Sequence, residues 1–270
     1  MSHDATDRLF AGSIPELYDQ HLVPLIFEPY AADLAERVAA VKPGDVLEIA
    51  AGTGVVTRQL ARVLPAATRI VATDLNVPML QQARARGTAR PVAWQQADAM
   101  ALPFADARFD AVVCQFGAMF FPDRSRAFAQ ARRVLRPGGT LLFNVWDRIE
   151  TNEFADVVTQ ALAAVFPQDP PRFMARVPHG YHDAAVVARD LAQGGFAAAP
   201  RWEVLSARSR ASSPRAPAIA YCQGTPLRNE IEARAPTGLA AATEAAERAL
   251  AARFGAGPVD GLVQALVFTV

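Results

Sequence analysis

Cysteine, lysine and long apolar runs are what this 270-residue chain has little of. Its two cysteines, Cys114 and Cys222, stand far apart and neither sits in a Cys-x-x-Cys pair, so a disulfide framework and a zinc site both lack support. Lys42 is the single lysine among 27 basic residues, a bias that genome base composition explains and from which no function is read. Acidic residues also number 27 and the formal net charge is zero. With no basic run and no basic patch interleaved with aromatics, a nucleic-acid partner is not expected. No segment reaches the roughly 18 apolar residues of a membrane span. The opening Met-Ser-His-Asp-Ala-Thr-Asp-Arg has no basic region followed by an apolar stretch, so no export signal is read and a cytoplasmic enzyme is expected.

What is present is a chain half apolar, long enough to bury one large core. The stretch Asp45-Val-Leu-Glu-Ile-Ala-Ala-Gly-Thr-Gly54 is its most informative part. Val46, Leu47 and Ile49 read as a buried strand. Gly52 and Gly54 allow a sharp turn and close backbone approach to a ligand, and Val56, Leu60, Val63 and Leu64 then recur at helical spacing. The free N–H groups of that helix start favour a ligand bearing carboxylate or hydroxyl oxygens. A dinucleotide fingerprint needs a third glycine, and Thr57 stands in its place. An acid, Glu48, instead ends the strand. About 20 residues past the glycines a second apolar run, Arg69-Ile-Val-Ala-Thr-Asp74, ends in an acid, the distance at which a βαβ unit returns a carboxylate to ribose hydroxyls. Asp74 is equally suited to the N-terminal turn of a helix started by Asn76 and Pro78, and both roles are compatible.

This arrangement resembles the first motif of the class I S-adenosylmethionine-dependent methyltransferases, with Ala50 standing where the first glycine usually is. Within that resemblance Val92–Ala99 looks like the third strand, its acid Asp98 holding the adenine exocyclic amine and the following N–H, that of Ala99, meeting the ring. Phe109–Phe116 looks like strand four. Arg133–Asn144 looks like a helix end, a turn and strand five. The resemblance runs from about Lys42 to Trp146. It is nearest to the methyltransferase type 11 group, meaning the ubiquinone/menaquinone-type C-methyltransferases and natural-product enzymes sharing Leu-Glu-Ile-Ala-x-Gly-Thr-Gly. It implies an α/β, doubly wound, Rossmann-like seven-stranded sheet of order 3-2-1-4-5-7-6 with strand 7 antiparallel, N-terminal lid helices and helical insertions. It also implies S-adenosyl-L-methionine as cofactor, held by Tyr18, Glu48, Ala50, Gly52, Thr53, Gly54, Asp74, Leu75, Met79, Asp98, Ala99, Gln115 and Phe116. The lid helix is Ile14-Pro-Glu-Leu-Tyr18-Asp-Gln-His21.

With neither a repeat nor a clean linker, a single domain over residues 1–270 is expected: lid helices 1–41, a cofactor-binding core 42–146, and substrate-side helices with strands six and seven over 147–270. Two helical pieces span Leu9 to Val41, a helix runs from Glu150 to Phe166, and Asp183 caps one ending at Gly194-Gly195. Trp202–Arg208 and Leu262–Val270 read as the last strands, separated by a largely helical, alanine-rich Ala218–Phe254 that covers substrate or forms a dimer contact. Phe116, Met119, Phe120, Phe121, Tyr30 and Trp146 are candidate pocket walls, though ordinary core positions explain most of them. No metal site is read. Strand four ends Cys114-Gln-Phe-Gly117 rather than Asn/Asp-Pro-Pro-Tyr, which leaves a small molecule as the expected methyl acceptor, in a monomer or homodimer. If the acceptor needs a general base, His182, His179 and His21 are the candidates, each also explained by surface or packing roles; His3, at the terminus, is set aside. A nicotinamide-dependent oxidoreductase and a non-catalytic S-adenosylmethionine-binding protein are the competing readings.

Overall fold

A computed structural model describes residues 7–270, so His3 lies outside the described residues. Seven strands form one sheet: β1 Asp45–Glu48, β2 Arg69–Asp74, β3 Ala93–Gln96, β4 Phe109–Gln115, β5 Leu135–Trp146, β6 Arg201–Ala211 and β7 Val259–Thr269. Their order is β3-β2-β1-β4-β5-β7-β6. β1 lies parallel between β2 and β4, with Leu47 opposite Val71 on one side and Val112 on the other. It is buried along its whole length rather than on alternate residues, with Val46 and Leu47 between the buried acids Asp45 and Glu48. β7 runs the opposite way to β5. Leu141 and Val270 exchange both backbone hydrogen bonds at 2.9 Å, and the Asp147 N–H then donates to the Gln264 carbonyl at 3.1 Å, so one chain ascends as the other descends.

The described residues divide into two compact units of interleaved segments. The first comprises residues 7–27, 146–180 and 206–264. Its N-terminal helix Ile14–Leu17 passes directly into ten residues of π-helix, Tyr18–Phe27, with Pro24 inside. A proline lacks the N–H that a tighter helix would use, and the widened turn stacks the Tyr18 ring on Phe27 at 5.0 Å. The helices Glu153–Val165 and Leu239–Phe254 meet through Phe154 and Phe254, edge to face at 5.0 Å. Arg176 ties this unit's distant segments together, donating to Asp7 at 2.5 and 2.8 Å and to Glu230 at 2.8 Å.

The second unit comprises Glu28–Val145, Tyr181–Leu205 and Ala265–Val270. Its amino-terminal strand ends are joined by charge. The Asp45 carboxylate takes two bonds of 2.6 Å from Arg69 and one of 3.0 Å from Arg136. Asp110 accepts the Gly44 and Asp45 N–H groups at 2.8 Å and Arg136 at 2.6 Å. Paired with the Arg69 guanidinium, Asp45 stays below the ordinary carboxyl range. Further along β5, opposite Cys114, Phe143 stacks on Phe268 at 4.9 Å and leans on Phe128 at 5.3 Å.

Several expected elements change length. The third strand shrinks to Ala93–Gln96, and the last two grow to eleven residues each. The expected turn before strand five lies inside it. Phe109 pairs with Leu135 and Ala111 with Thr140, so β5 carries extra residues around Gly138, whose φ of +79° only glycine adopts freely. The helix after Asp183 forms at Ala184–Gln193, with the Asp183 carboxylate accepting the Ala185 N–H at 2.8 Å.

Candidate active site

The site assembles in the second unit, where β1, β2 and β4 end side by side. In a doubly wound sheet those carboxyl ends, at the reversal of strand order between β1 and β4, are where ligands sit. Leaving β1, the chain is steered by its neighbours: the Ile49 N–H donates to Val113 at 2.9 Å and the Ala51 N–H to Thr73 at 2.8 Å. It then turns through three left-handed residues, Ala50 at φ +55°, Gly52 at +56° and Gly54 at +81°, and enters the helix Val55–Val63. A Cβ at Gly54 would stand 2.8 Å from Trp94 Cη2, so that position needs glycine for space as well as for backbone freedom. Ala50 has a Cβ in the same backbone region, a conformation that costs on the order of 1 kcal/mol.

Asp74, at the end of β2, is buried, with 7% of its surface exposed. Its Oδ2 accepts the Gly52 N–H and its Oδ1 the Asn76 N–H, both at 2.8 Å. Burial pushes its carboxyl above the ordinary range while the Asn76 and Gly52 bonds pull it back. One carboxylate thus holds both the glycine turn and the start of the helix Val77–Arg86. Beside it Leu75 offers an apolar side chain that is 41% exposed, and Met79 is buried behind. Past β3, Asp98 accepts the Met100 N–H at 2.9 Å, and Ala99 is buried. At the end of β4 lie Gln115 and Phe116, the latter at φ +49° with its ring edge-on to Tyr30 at 5.3 Å. Thr53, in the turn itself, is 1% exposed and its hydroxyl has no hydrogen-bond partner.

Glu48 is placed beneath the turn rather than on it. It is 1% exposed and accepts the Thr57 hydroxyl. Desolvation raises its pKa from 4.5 to about 8. Between those values the folded chain keeps a proton that the unfolded chain has released, so stability falls as pH climbs through that window and levels off above it. Asp74, also raised, acts in the same direction. At about 1.4 kcal/mol per unit the Glu48 contribution is on the order of 5 kcal/mol. Glu48→Gln removes the titration, and urea midpoints at pH 5 and pH 8.5 should lie closer together in the variant than in the native chain. An equal spread in both would refute a buried protonated Glu48.

Other expected residues fall elsewhere. Tyr18, His21, His179 and Trp146 belong to the first unit. There His179 is buried, its Nδ1–H donating to the Asp147 carbonyl at 2.8 Å, and its ring lies 6.1 Å from that of Trp146. His21 is half-buried in the π-helix and His182, in the second unit, is exposed. The sequence reading missed Asn144, opposite Gln115 on β5, which is completely buried and whose Oδ1 accepts the Phe116 N–H at 2.9 Å. Its signal was a lone polar residue inside Leu141-Leu-Phe-Asn-Val-Trp146. Cys114, its thiol pushed up to about 12 by burial, sits in the core as a small apolar group. Among the described residues no group of three or more metal-ligating side chains gathers.

Residues 47–143 match the family model described as a methyltransferase domain. The segment is a class I S-adenosylmethionine-dependent methyltransferase domain. Over 170 residues, 61% of this chain and 62% of the relative, it is 31% identical to the ubiquinone/menaquinone biosynthesis C-methyltransferase UbiE of Marinomonas sp.. A second UbiE, from Teredinibacter turnerae, is 34% identical over 52% of the chain and 53% of its own length. The chain therefore spans between about half and two thirds of the length of these two relatives. Among solved structures, an S-adenosylmethionine-dependent methyltransferase from Thermotoga maritima covers 100% of this chain and 99% of its own at TM-score 0.52 and 16% identity. The [4+2]-cyclase SpnF covers 90% of this chain and 80% of its own at TM-score 0.53 and 20% identity. These two likenesses show that the methyltransferase fold extends beyond the matched segment. Within the methyltransferase domain, a cradle that fits an adenosyl amino acid is in place: an unmatched buried hydroxyl at Thr53, an acid locked to the glycine turn, and an exposed leucine next to that acid.

Proposed function

We propose that the chain transfers the methyl group of S-adenosylmethionine to a small-molecule acceptor, using the carboxyl-end site of its second unit. The observation that carries this reading is the bond from the Gly52 N–H to Asp74, which fixes the turn and the ribose acid as one piece. In this reading the Gly52–Gly54 backbone and the Thr53 hydroxyl hold the amino acid end, Asp74 the ribose, and Asp98 and the Ala99 N–H the adenine. Leu75 and Met79 flank the ring, Gln115 and Phe116 border the reacting end, and Glu48 with Ala50 shapes the turn from below. When bound, the cofactor supplies a methyl already activated by its sulfonium. What remains for the protein is to hold a nucleophile about 3 to 3.5 Å from that carbon and to exclude water. Phe116, Met119, Phe120 and Phe121 supply apolar surface for both tasks. His182 is the base candidate carried by the same unit. The UbiE likenesses favour a carbon acceptor, and fold alone would not choose between carbon, oxygen and nitrogen.

The nicotinamide reading has a physical obstacle. Thr57 fills the third-glycine position and is completely buried against Glu48, where a dinucleotide site needs bare backbone for close helix–strand packing. Titration calorimetry should give binding heat with S-adenosylhomocysteine and none with NAD. Incubation with methyl-labelled S-adenosylmethionine and a metabolite extract should then move label into a small molecule. Binding of NAD with indifference to S-adenosylhomocysteine would overturn the proposal, whereas cofactor binding without label transfer would favour the non-catalytic reading.

A further inference from the structure

Asn144 is an amide in an otherwise apolar strand end, completely buried, with Leu142, Phe143, Val145 and Trp146 around it in sequence. Its Oδ1 is used: it accepts the Phe116 N–H at 2.9 Å, alongside the longer 3.2 Å bond from the same N–H to the Asn144 backbone carbonyl. That assignment fixes the amide orientation, since a flipped side chain would point a donor at a donor. Its Nδ2 is buried with no hydrogen-bond partner. A leucine there would avoid the desolvation of an unmatched donor, so the side-chain carbonyl is the only part of the amide that the fold uses.

The group it holds is unusual in turn. Phe116 is left-handed at φ +49°, a backbone that a side chain disfavours. That twist turns the chain sharply at the end of β4 and sets Gly117 against the cofactor turn, so close that a Cβ on Gly117 would lie 2.6 Å from the Ala50 Cβ and 2.7 Å from Cys114 Sγ. Ala50 is itself left-handed. One disfavoured residue, Ala50, therefore lies close against Gly117, the neighbour of the other, Phe116, and the Asn144 carbonyl accepts the N–H of that second residue.

We propose that Asn144 is a positioning residue for the cofactor: by clamping the Phe116 N–H it keeps Gly117 against Ala50 and so keeps the Gly52–Gly54 turn in its binding geometry. This rests on the methyltransferase reading above. A residue kept only for packing would show loss of stability and loss of function together, whereas the clamp separates them.

Asn144→Leu should leave the melting temperature within a few degrees of native, accelerate hydrogen exchange at the Phe116 amide, and weaken S-adenosylhomocysteine binding about tenfold in calorimetry. Asn144→Asp, which retains the acceptor oxygen, should restore affinity to within about threefold; should this variant not fold, the leucine variant and the exchange rates still decide. As a control for destabilisation alone, Leu250→Ala, in the first unit, should lower the melting temperature and leave that affinity unchanged. Native affinity in Asn144→Leu, or unaltered Phe116 exchange, overturns the clamp. If the native chain itself ignores S-adenosylhomocysteine, the methyltransferase reading fails, and faster Phe116 exchange in the leucine variant would still show the clamp to be real.

Discussion

Asp74→Ala should weaken S-adenosylhomocysteine binding by roughly two orders of magnitude while leaving a folded chain. Two effects add. The ligand loses a charged acceptor for its ribose hydroxyls, and hydrogen bonds to charged groups contribute about 1.5 to 3 kcal/mol each. The turn also loses its tether, because the same carboxylate accepts the Gly52 and Asn76 N–H groups at 2.8 Å. Removing a carboxylate that burial disfavours limits the damage to stability. Asp74→Asn separates the two effects: its side-chain oxygen can still accept one of those backbone bonds, so its loss of affinity should be several-fold smaller than that of alanine. Calorimetry on the three proteins checks the order. Equal affinity in all three would remove Asp74 from the site.

Gly117→Ala should destabilise the second unit through a single added methyl. Gly117 has ordinary φ and ψ, −97° and −35°, so the backbone accepts alanine and the cost is purely steric. The new Cβ meets the Ala50 Cβ at 2.6 Å and Cys114 Sγ at 2.7 Å, neither of which is the end of a flexible chain. Overpacking of this kind costs about 1 to 3 kcal/mol. The diagnostic is the pair: Ala50→Gly removes the opposing methyl and relieves a left-handed alanine, so Ala50→Gly/Gly117→Ala should recover about half of the loss in urea unfolding. Strict additivity of the two single changes would mean that they do not meet.

The first two strands were legible because their apolar residues are closed by acids and glycines, signals that survive without neighbours: Asp45–Gly54 and Arg69–Asp74 mark both strand ends. The order β3-β2-β1-β4-β5-β7-β6 came from family resemblance and agrees with the structure. Local pattern failed where pairing decides. Pro137-Gly138-Gly139 reads as a turn, yet Leu135 already pairs with Phe109, and only the partner strand reveals that the intervening residues bulge within β5. The π-helix Tyr18–Phe27 was invisible because its apolar spacing over so few turns is also that of an ordinary helix. Glu48 read as a site acid, but which way a strand-end side chain faces depends on Thr57, on the helix packed over it. Asn144 needed Phe116, nearly thirty residues away, to acquire a role.

The two ends of the central strands differ in how they are fastened. At one end Asp45, Asp110, Arg69 and Arg136 form an interlocked set of ionic bonds across β1, β2, β4 and β5. At the other the twisted residues are held by hydrogen bonds to single side chains, the Gly52 and Asn76 N–H groups donating to Asp74 and the Phe116 N–H to Asn144. Ionic bonds brace one end whatever the ligand state, whereas the other has turns that a ligand can brace in addition, so occupancy should slow amide exchange at Gly52–Gly54 far more than at Gly44–Val46.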